Sequence, residues 1–303
     1  MMHTVHRIVQ KLVTTLKTQY SLEEAQSIAW ELFRHVTQKS RIQLLMEKEG
    51  VPDEQIEMLM QLVQKHLNEQ VPIAYLTGEI VFGDLMLMIK PPILIPRSET
   101  ESWCYELIER LEQFQNEPLR ILDLCTGSGC IALALAHALP QAHITGIDID
   151  PRAIALAEEN RKKLDIKNCT FIESNLFEQL HGETFDLIVS NPPYIGEKEL
   201  PSLAPSVRNF ESPQALFAED DGCAIINKII TQAPRHLHHN DKVAVNQVPQ
   251  LLIEIGYTQG ETIKAFMQHH NYVTIQLWKD YQGHNRVVCA RVSADDAQKN
   301  TKS

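Results

Sequence analysis

"LRILDLCTGSGCIALALAHAL", residues 119 to 139, decides the fold. Its first six residues are a short, largely apolar run, the pattern of a strand buried on both faces. A turn containing Gly127 and Gly129 follows, and then an alanine- and leucine-rich segment of helical length. The same alternation continues through HITGID, PRAIALAEENRKKL, CTFIES and FDLIVS. Apolar strands alternating with helices predict an α/β fold, a doubly wound parallel sheet covered on both faces. Ligands of such sheets bind beyond the carboxyl ends of the strands, where the strand order reverses. The loops CTGSGC, DIDP, SNLF and NPPY all follow strands and are the places to look for chemistry.

In the first of these loops, Gly127 and Gly129 let the backbone come close to a nucleotide-like ligand. Asp148 ends the next strand, where an acid accepts hydrogen bonds from ribose hydroxyls. With Ala132 the loop also reads G-x-G-x-x-A, so a nicotinamide cofactor and S-adenosylmethionine both fit so far. The stretch SNPPYIG, residues 190 to 196, separates them. Pro192 and Pro193 stiffen the turn and remove two backbone donors, leaving it rich in acceptors. The Asn191 side-chain carbonyl and the Pro192 C=O converge on one point, which suits an NH2 group with two hydrogens to offer. Tyr194 supplies a flat ring against the planar group carrying that nitrogen. An amide or exocyclic amine has a delocalised lone pair and is a poor nucleophile. Holding both its N–H bonds raises electron density on nitrogen and aims the lone pair at a methyl sulfonium. Hydride transfer has no use for such a device.

The chain has 303 residues, enough for two domains. Its 28 Lys+Arg against 39 Asp+Glu leave a charge of −11, which argues against a surface built to grip phosphate backbones. Six scattered cysteines, with no CxxC pair and no His/Cys cluster at zinc spacing, predict neither disulfides nor a metal site and suit a reducing cytoplasm. The N-terminus reads as neither signal peptide nor membrane span. His236, His238 and His239 read as a solvated surface cluster with no acidic partner at ligand spacing.

Residues 1–71 read as a small helical domain. Val5, Ile8, Val9, Leu12 and Leu16 form one stripe. Leu22, Ala25, Ile28, Ala29, Leu32, Phe33 and Val36 form a second, behind a Ser21–Glu24 capping box. Pro52-Asp53 opens a third helix. Residues 72–96 read as a β-hairpin linker, residues 97–293 as the α/β domain and residues 294–303 as a disordered polar tail.

Together the glycine loop, Asp148 and NPPY resemble class I S-adenosylmethionine-dependent methyltransferases that modify planar nitrogens. "PIAYLTGEIVF…ILIPRSETE", "RILDLCTGSGCIALALA", "FDLIVSNPPYI", "VRNFESPQAL" and "KDYQGHNRVV" resemble, in order and spacing, the release factor glutamine methyltransferases. That resemblance implies methyl transfer to the glutamine of the Gly-Gly-Gln motif of class 1 peptide chain release factors. It implies cofactor contacts at Cys125, Thr126, Gly127, Ser128, Gly129, Asp148, Asn175, Leu176 and Asn191. It places substrate contacts at Asn191, Pro192, Pro193 and Tyr194, with Asn191, Pro192 and Tyr194 catalytic. It implies no metal, membrane or direct nucleic-acid partner. A sister family that methylates ribosomal protein L3 is the alternative, and a DNA adenine methyltransferase a further one. Three departures stand out. Cys125 stands where the family usually has glycine, placing a Cβ beside the cofactor; this is tolerable at a negative φ, which the L3 branch's similar CTGSGC implies. Asn175-Leu176 replaces an acid and a frequent aromatic, so Asn175 would receive the adenine amino group through its amide oxygen and Leu176 would cover the ring. The stretch around 240–250 is longer than the family's. Arg97 and Glu211 border the site and read as loop pins as readily as catalysts.

Overall fold

A computed structural model describes residues 4–46, 50–238 and 248–293. The chain divides into two compact units, residues 1–79 with 204–210, and residues 80–203 with 211–303.

The first unit is helical: α1 (Val5–Leu16), α2 (Leu22–Thr37), α3 (Arg41–Met46), α4 (Asp53–Glu69) and α5 (Ile73–Thr77), with α9 (Pro205–Phe210). The two stripes read from the sequence, joined by Leu59 and Val63 of α4, form its core: Leu12, Leu16, Leu32, Phe33, Leu59 and Val63 are fully buried. Truncating a buried phenylalanine such as Phe33 to alanine costs about 3–5 kcal/mol. The capping box is present, with Glu24 N–H on Ser21 Oγ and Ser21 N–H on Glu24 Oε2. Leu22 departs from its stripe. As the first residue of α2 it stays half exposed. Residues 73–77 form a helical turn inside the segment read as β, because Pro72 opens it and Gly78, at φ 72°, closes it.

The hairpin β1 (Glu79–Phe82) and β2 (Leu85–Met88) carries the chain into the second unit from residue 80, followed by α6 (Ser98–Leu111). Next come β3 (Arg120–Leu124), α7 (Cys130–Ala138), β4 (His143–Asp148), α8 (Pro151–Lys163), β5 (Cys169–Glu173) and β6 (Leu187–Ser190). The chain then passes through α10 (Pro213–Leu216), α11 (Ala224–Gln232), β7 (Leu251–Glu254), α12 (Gly260–His269), β8 (Tyr272–Lys279) and β9 (Asn285–Val292). The sheet order is β5-β4-β3-β6-β7-β9-β8. Its first five strands run parallel, and β9 and β8 close the edge antiparallel. The order reverses between β3 and β6, so the loops after those strands open onto one crevice. β6 and β7 are buried throughout, as strands covered on both faces must be. Ser190 O–H donates to the Leu124 carbonyl at 2.8 Å and ties β3 to β6 at the crevice. The polar tail and most of the 240–250 stretch lie outside the described residues.

Candidate active site

A cavity opens at the reversal, within the second unit. Among the residues lining it are Cys125, Gly127, Asp148, Asn175, Leu176, Asn191 and Pro193. Thr126, Ser128 and Gly129 shape the loop from behind. Thr126 N–H bonds the Ile147 carbonyl at 2.8 Å, and its hydroxyl donates to Asp123 Oδ2 at 2.6 Å. Ser128 is buried, and Gly129, at φ 82°, caps α7.

Two carboxylates organise this loop. Asp148 Oδ2 accepts the Gly127 N–H and its Oδ1 the Asp150 N–H, both at 2.9 Å. Burial raises its carboxyl above the ordinary aspartate range, and these backbone donors oppose the rise. Each oxygen keeps a further lone pair for a ribose hydroxyl. Asp123, one layer deeper, is fully buried. Its Oδ2 takes Thr126 and the Ala132 N–H, while its Oδ1 has no partner among the described residues. Desolvation pushes its carboxyl up to about 7.

Cys125 corrects one expectation. Its φ is +60°, not negative, so a side chain occupies a backbone region that favours glycine. The strand must turn sharply here for Gly127 to reach Asp148, and the chain accepts the left-handed residue to do so. Burial raises the Cys125 thiol far above its ordinary range, so it stays protonated.

Asn175 and Leu176 both reach the cavity. Asn175 Nδ2 donates to Glu178 Oε1 at 2.7 Å, which leaves its amide oxygen as the end available to a donor. Leu176 also has positive φ, +50°, and its carbonyl accepts the Ser174 hydroxyl at 3.0 Å.

At the mouth of β6, Asn191 Nδ2 donates to Thr100 Oγ1 at 3.1 Å. Pro192 is buried, and Pro193 lines the cavity. The Tyr194 hydroxyl donates to Glu254 Oε1 at 3.1 Å. Burial, then the Glu254 charge, raises the Tyr194 pKa, so it remains a phenol. Gln259 Nε2 donates to the Tyr194 carbonyl at 2.9 Å and to the Asp221 carbonyl at 3.2 Å, latching the turn to the next loop. Gly222 makes that approach possible. Its φ is +86°, and a Cβ there would lie 2.0 Å from the Tyr194 oxygen.

Glu254 and Thr100 escaped the sequence reading. Glu254 ends β7, 1% exposed, and its Oε2 accepts the Thr100 hydroxyl and the Trp103 indole N–H, each at 2.7 Å. Burial raises its carboxyl, against the pull of these donors and of Arg286. The only available signal was an acid at the end of an apolar strand, in "LLIEIG". The linker was also read too modestly, since Ile93 and Leu94 form part of the cavity wall. Asn160, fully buried on α8, explains why. It bonds both the N–H and C=O of Met88 and the Ser128 carbonyl, fastening the linker to the glycine loop. Arg97 holds both oxygens of the buried Glu211 at 2.6 Å, and the Ser212 N–H bonds the Pro92 carbonyl at 2.8 Å. These contacts set Ser212, Gln214 and Ala215 on the cavity's other wall.

The histidine cluster is another correction. His236 stacks on Phe177, and His238 Nδ1 lies 3.0 Å from Asp186 Oδ1, so both are half-buried rather than solvated. The acidic partner of His238 lies 52 residues away in sequence, where spacing could not reveal it. His239 falls outside the described residues, among which no three metal-ligating side chains gather.

A family model described as "Methyltransferase domain" matches residues 115–292, and one described as "PrmC N-terminal domain" matches residues 8–78. The chain is 32% identical over 277 residues to the release factor glutamine methyltransferase of Thermodesulfovibrio yellowstonii, covering 91% of this chain and 95% of that protein. It is 38% identical over 261 residues to the Escherichia coli protein of the same name, covering 86% and 90%. It is 36% identical over 245 residues to the ribosomal protein uL3 glutamine methyltransferase of Xanthomonas campestris, covering 80% and 75%. Relatives this similar over nearly their whole length, in both of its parts, show that the chain belongs to the release factor glutamine methyltransferase family.

Proposed function

We propose that this chain methylates the side-chain amide nitrogen of the glutamine in the Gly-Gly-Gln motif of class 1 peptide chain release factors, in the cytoplasm. The observation that carries the reading is Asn191. It sits at the strand reversal beside the glycine loop, with its NH2 end engaged by Thr100. Its carbonyl end is then the acceptor offered to a substrate amide, with the Pro192 carbonyl as the second.

The cavity suits S-adenosylmethionine on a geometric test. A Cβ added at Gly127 would meet nothing within 4 Å, so the loop presents open, unobstructed backbone there. Asp148 would hold the ribose hydroxyls, Asn175 Oδ1 the adenine amino group, and Leu176 would cover the ring. Bound there, S-adenosylmethionine supplies a methyl carbon made electrophilic by its sulfonium. The protein's part is alignment. Asn191 and Pro192 take the two amide hydrogens, and Tyr194 limits the tilt of the amide plane. On transfer the carbon–sulfur bond would break to leave a neutral thioether, and the nitrogen would gain the methyl and give up one proton to solvent, since neither acceptor is a base and Tyr194 stays protonated. The helical unit, matched by a family model of its own, and the loop of residues 196–222 are proposed to hold the release factor. Among the described residues no helix is long and apolar enough to cross a membrane.

The test is a labelled-methyl assay on four substrates: a release factor, its Gly-Gly-Ala variant, ribosomal protein uL3 and duplex DNA. Label on the intact release factor alone is expected. Label on uL3 would move the substrate to the sister branch, whose member is 36% identical here. Label on DNA would overturn the protein-substrate reading.

A further inference from the structure

An asparagine amide is nearly symmetric in shape, and its oxygen and NH2 ends exchange by a half-turn of the side chain. Only one orientation lets Asn191 accept a hydrogen bond from a substrate amide. The turn's backbone does not choose between them, so the choice belongs to whatever sits behind the side chain.

We propose that Glu254, acting through Thr100, is the positioning residue that fixes which end of the Asn191 amide faces the substrate. The inference rests on the reading of Asn191 as the acceptor for the glutamine amide.

The chain of bonds runs one way. An indole N–H can only donate, so the 2.7 Å contact from Trp103 makes Glu254 Oε2 an acceptor. The same oxygen takes the Thr100 hydroxyl at 2.7 Å, and Oε1 takes the Tyr194 hydroxyl at 3.1 Å. Three side-chain donors thus converge on one buried carboxylate, with the positive charge of Arg286 also acting on it. A hydroxyl has a single hydrogen. With that hydrogen given to Glu254, Thr100 Oγ1 presents only lone pairs to its other neighbour. The group 3.1 Å away must therefore donate, and on Asn191 only Nδ2 can do so. The carbonyl end is left for the cavity. Tyr194 is oriented by the same carboxylate, so both substrate-facing side chains of the NPPY turn answer to one residue on β7.

Glu254→Met tests this at nearly the same side-chain volume. With no acceptor at that position, the Thr100 hydroxyl is free to donate to Asn191 and reverse its amide. Expected is a fall in kcat on the order of 10²-fold, the scale of a misaligned reacting group. KM for the release factor and calorimetric cofactor affinity should both stay within about threefold. Thr100→Val should show the same split, and Thr100→Ser, which keeps the hydroxyl, should recover most of what valine loses. The Thr100→Val/Glu254→Met double variant should be no slower than the worse single, because Thr100 acts only through the Asn191 amide that Glu254 also governs.

A readout free of turnover completes the test. The side-chain amide resonances of Asn191, identified by their loss in Asn191→Asp, should shift in both Glu254→Met and Thr100→Val in the cofactor-free protein. Unmoved resonances, an unchanged kcat, or additive losses in the double variant would each overturn the proposal. If the resonances move as expected while the wild-type chain leaves release factor unmethylated, the substrate reading fails and the positioning role stands.

Discussion

At the mouths of β3 and β4 the carboxylates hold backbone N–H groups and one hydroxyl of the same loop, whereas at the mouth of β7 the carboxylate holds only side chains from elsewhere in the chain. Asp148 and Asp123 accept N–H groups of Gly127, Asp150 and Ala132, and so give the glycine loop its course. Glu254 accepts from Thr100, Trp103 and Tyr194, all side chains from distant segments. The difference matches two tasks. A cofactor that carries its own reactive group needs a shaped surface, which backbone supplies. An amide that must be made to react needs acceptors aimed within a few tenths of an ångström, which oriented side chains supply.

The sharpest way to break this comparison is Asn191→Ala. If the β6 side serves alignment alone, kcat should fall by ~10²–10³-fold, the scale of removing a preorganised polar contact, while calorimetric cofactor affinity falls far less. Similar losses in both would show that the two sides are not separate.

Asp123→Asn probes the backbone-holding side through stability. The folded carboxyl, raised to about 7, binds its proton more tightly than the unfolded one at 3.8. Folding is therefore most favoured at low pH from this group, and stability is lost as pH climbs through that window. The loss is on the order of a few kcal/mol between about pH 4 and pH 8. Asparagine cannot ionise, so denaturant midpoints of the variant should fall less over that range than those of the wild type.

Asp148→Ala should weaken cofactor binding by about 1–3 kcal/mol, read by calorimetry, while the Asn191 side-chain resonances keep their positions. The smallest expected effect is at Cys125. Glycine accepts a φ of +60° without the steric cost of a Cβ, so Cys125→Gly should gain about 0.5–1 kcal/mol in urea denaturation. A loss of stability would mean that thiol packing outweighs the backbone term.

The alternation of strands and helices, the glycine loop with its acid and the acceptor-rich NPPY turn were legible because each is written in consecutive residues, with local physics behind it. Apolar runs bury, glycine turns, and proline withholds a donor. The helical stripes of the first unit were legible for the same reason, apart from Leu22, where a helix start overrides the periodicity. What escaped was set by distance along the chain. His238 meets an acid 52 residues away, and Thr100 meets one 154 residues away. The left-handed turn at Cys125 escaped because a residue's φ follows from where its neighbours must go, not from its own side chain.

Composition, pattern and motif thus determined the class of fold, the cofactor and the kind of nitrogen offered to it. Only the tertiary structure decided which way the Asn191 amide points. Hydrogen-bond direction is a property of groups brought together in space, and the donors and acceptors that impose it here lie on α6, just past the end of β6 and on β7, which meet only when the sheet closes.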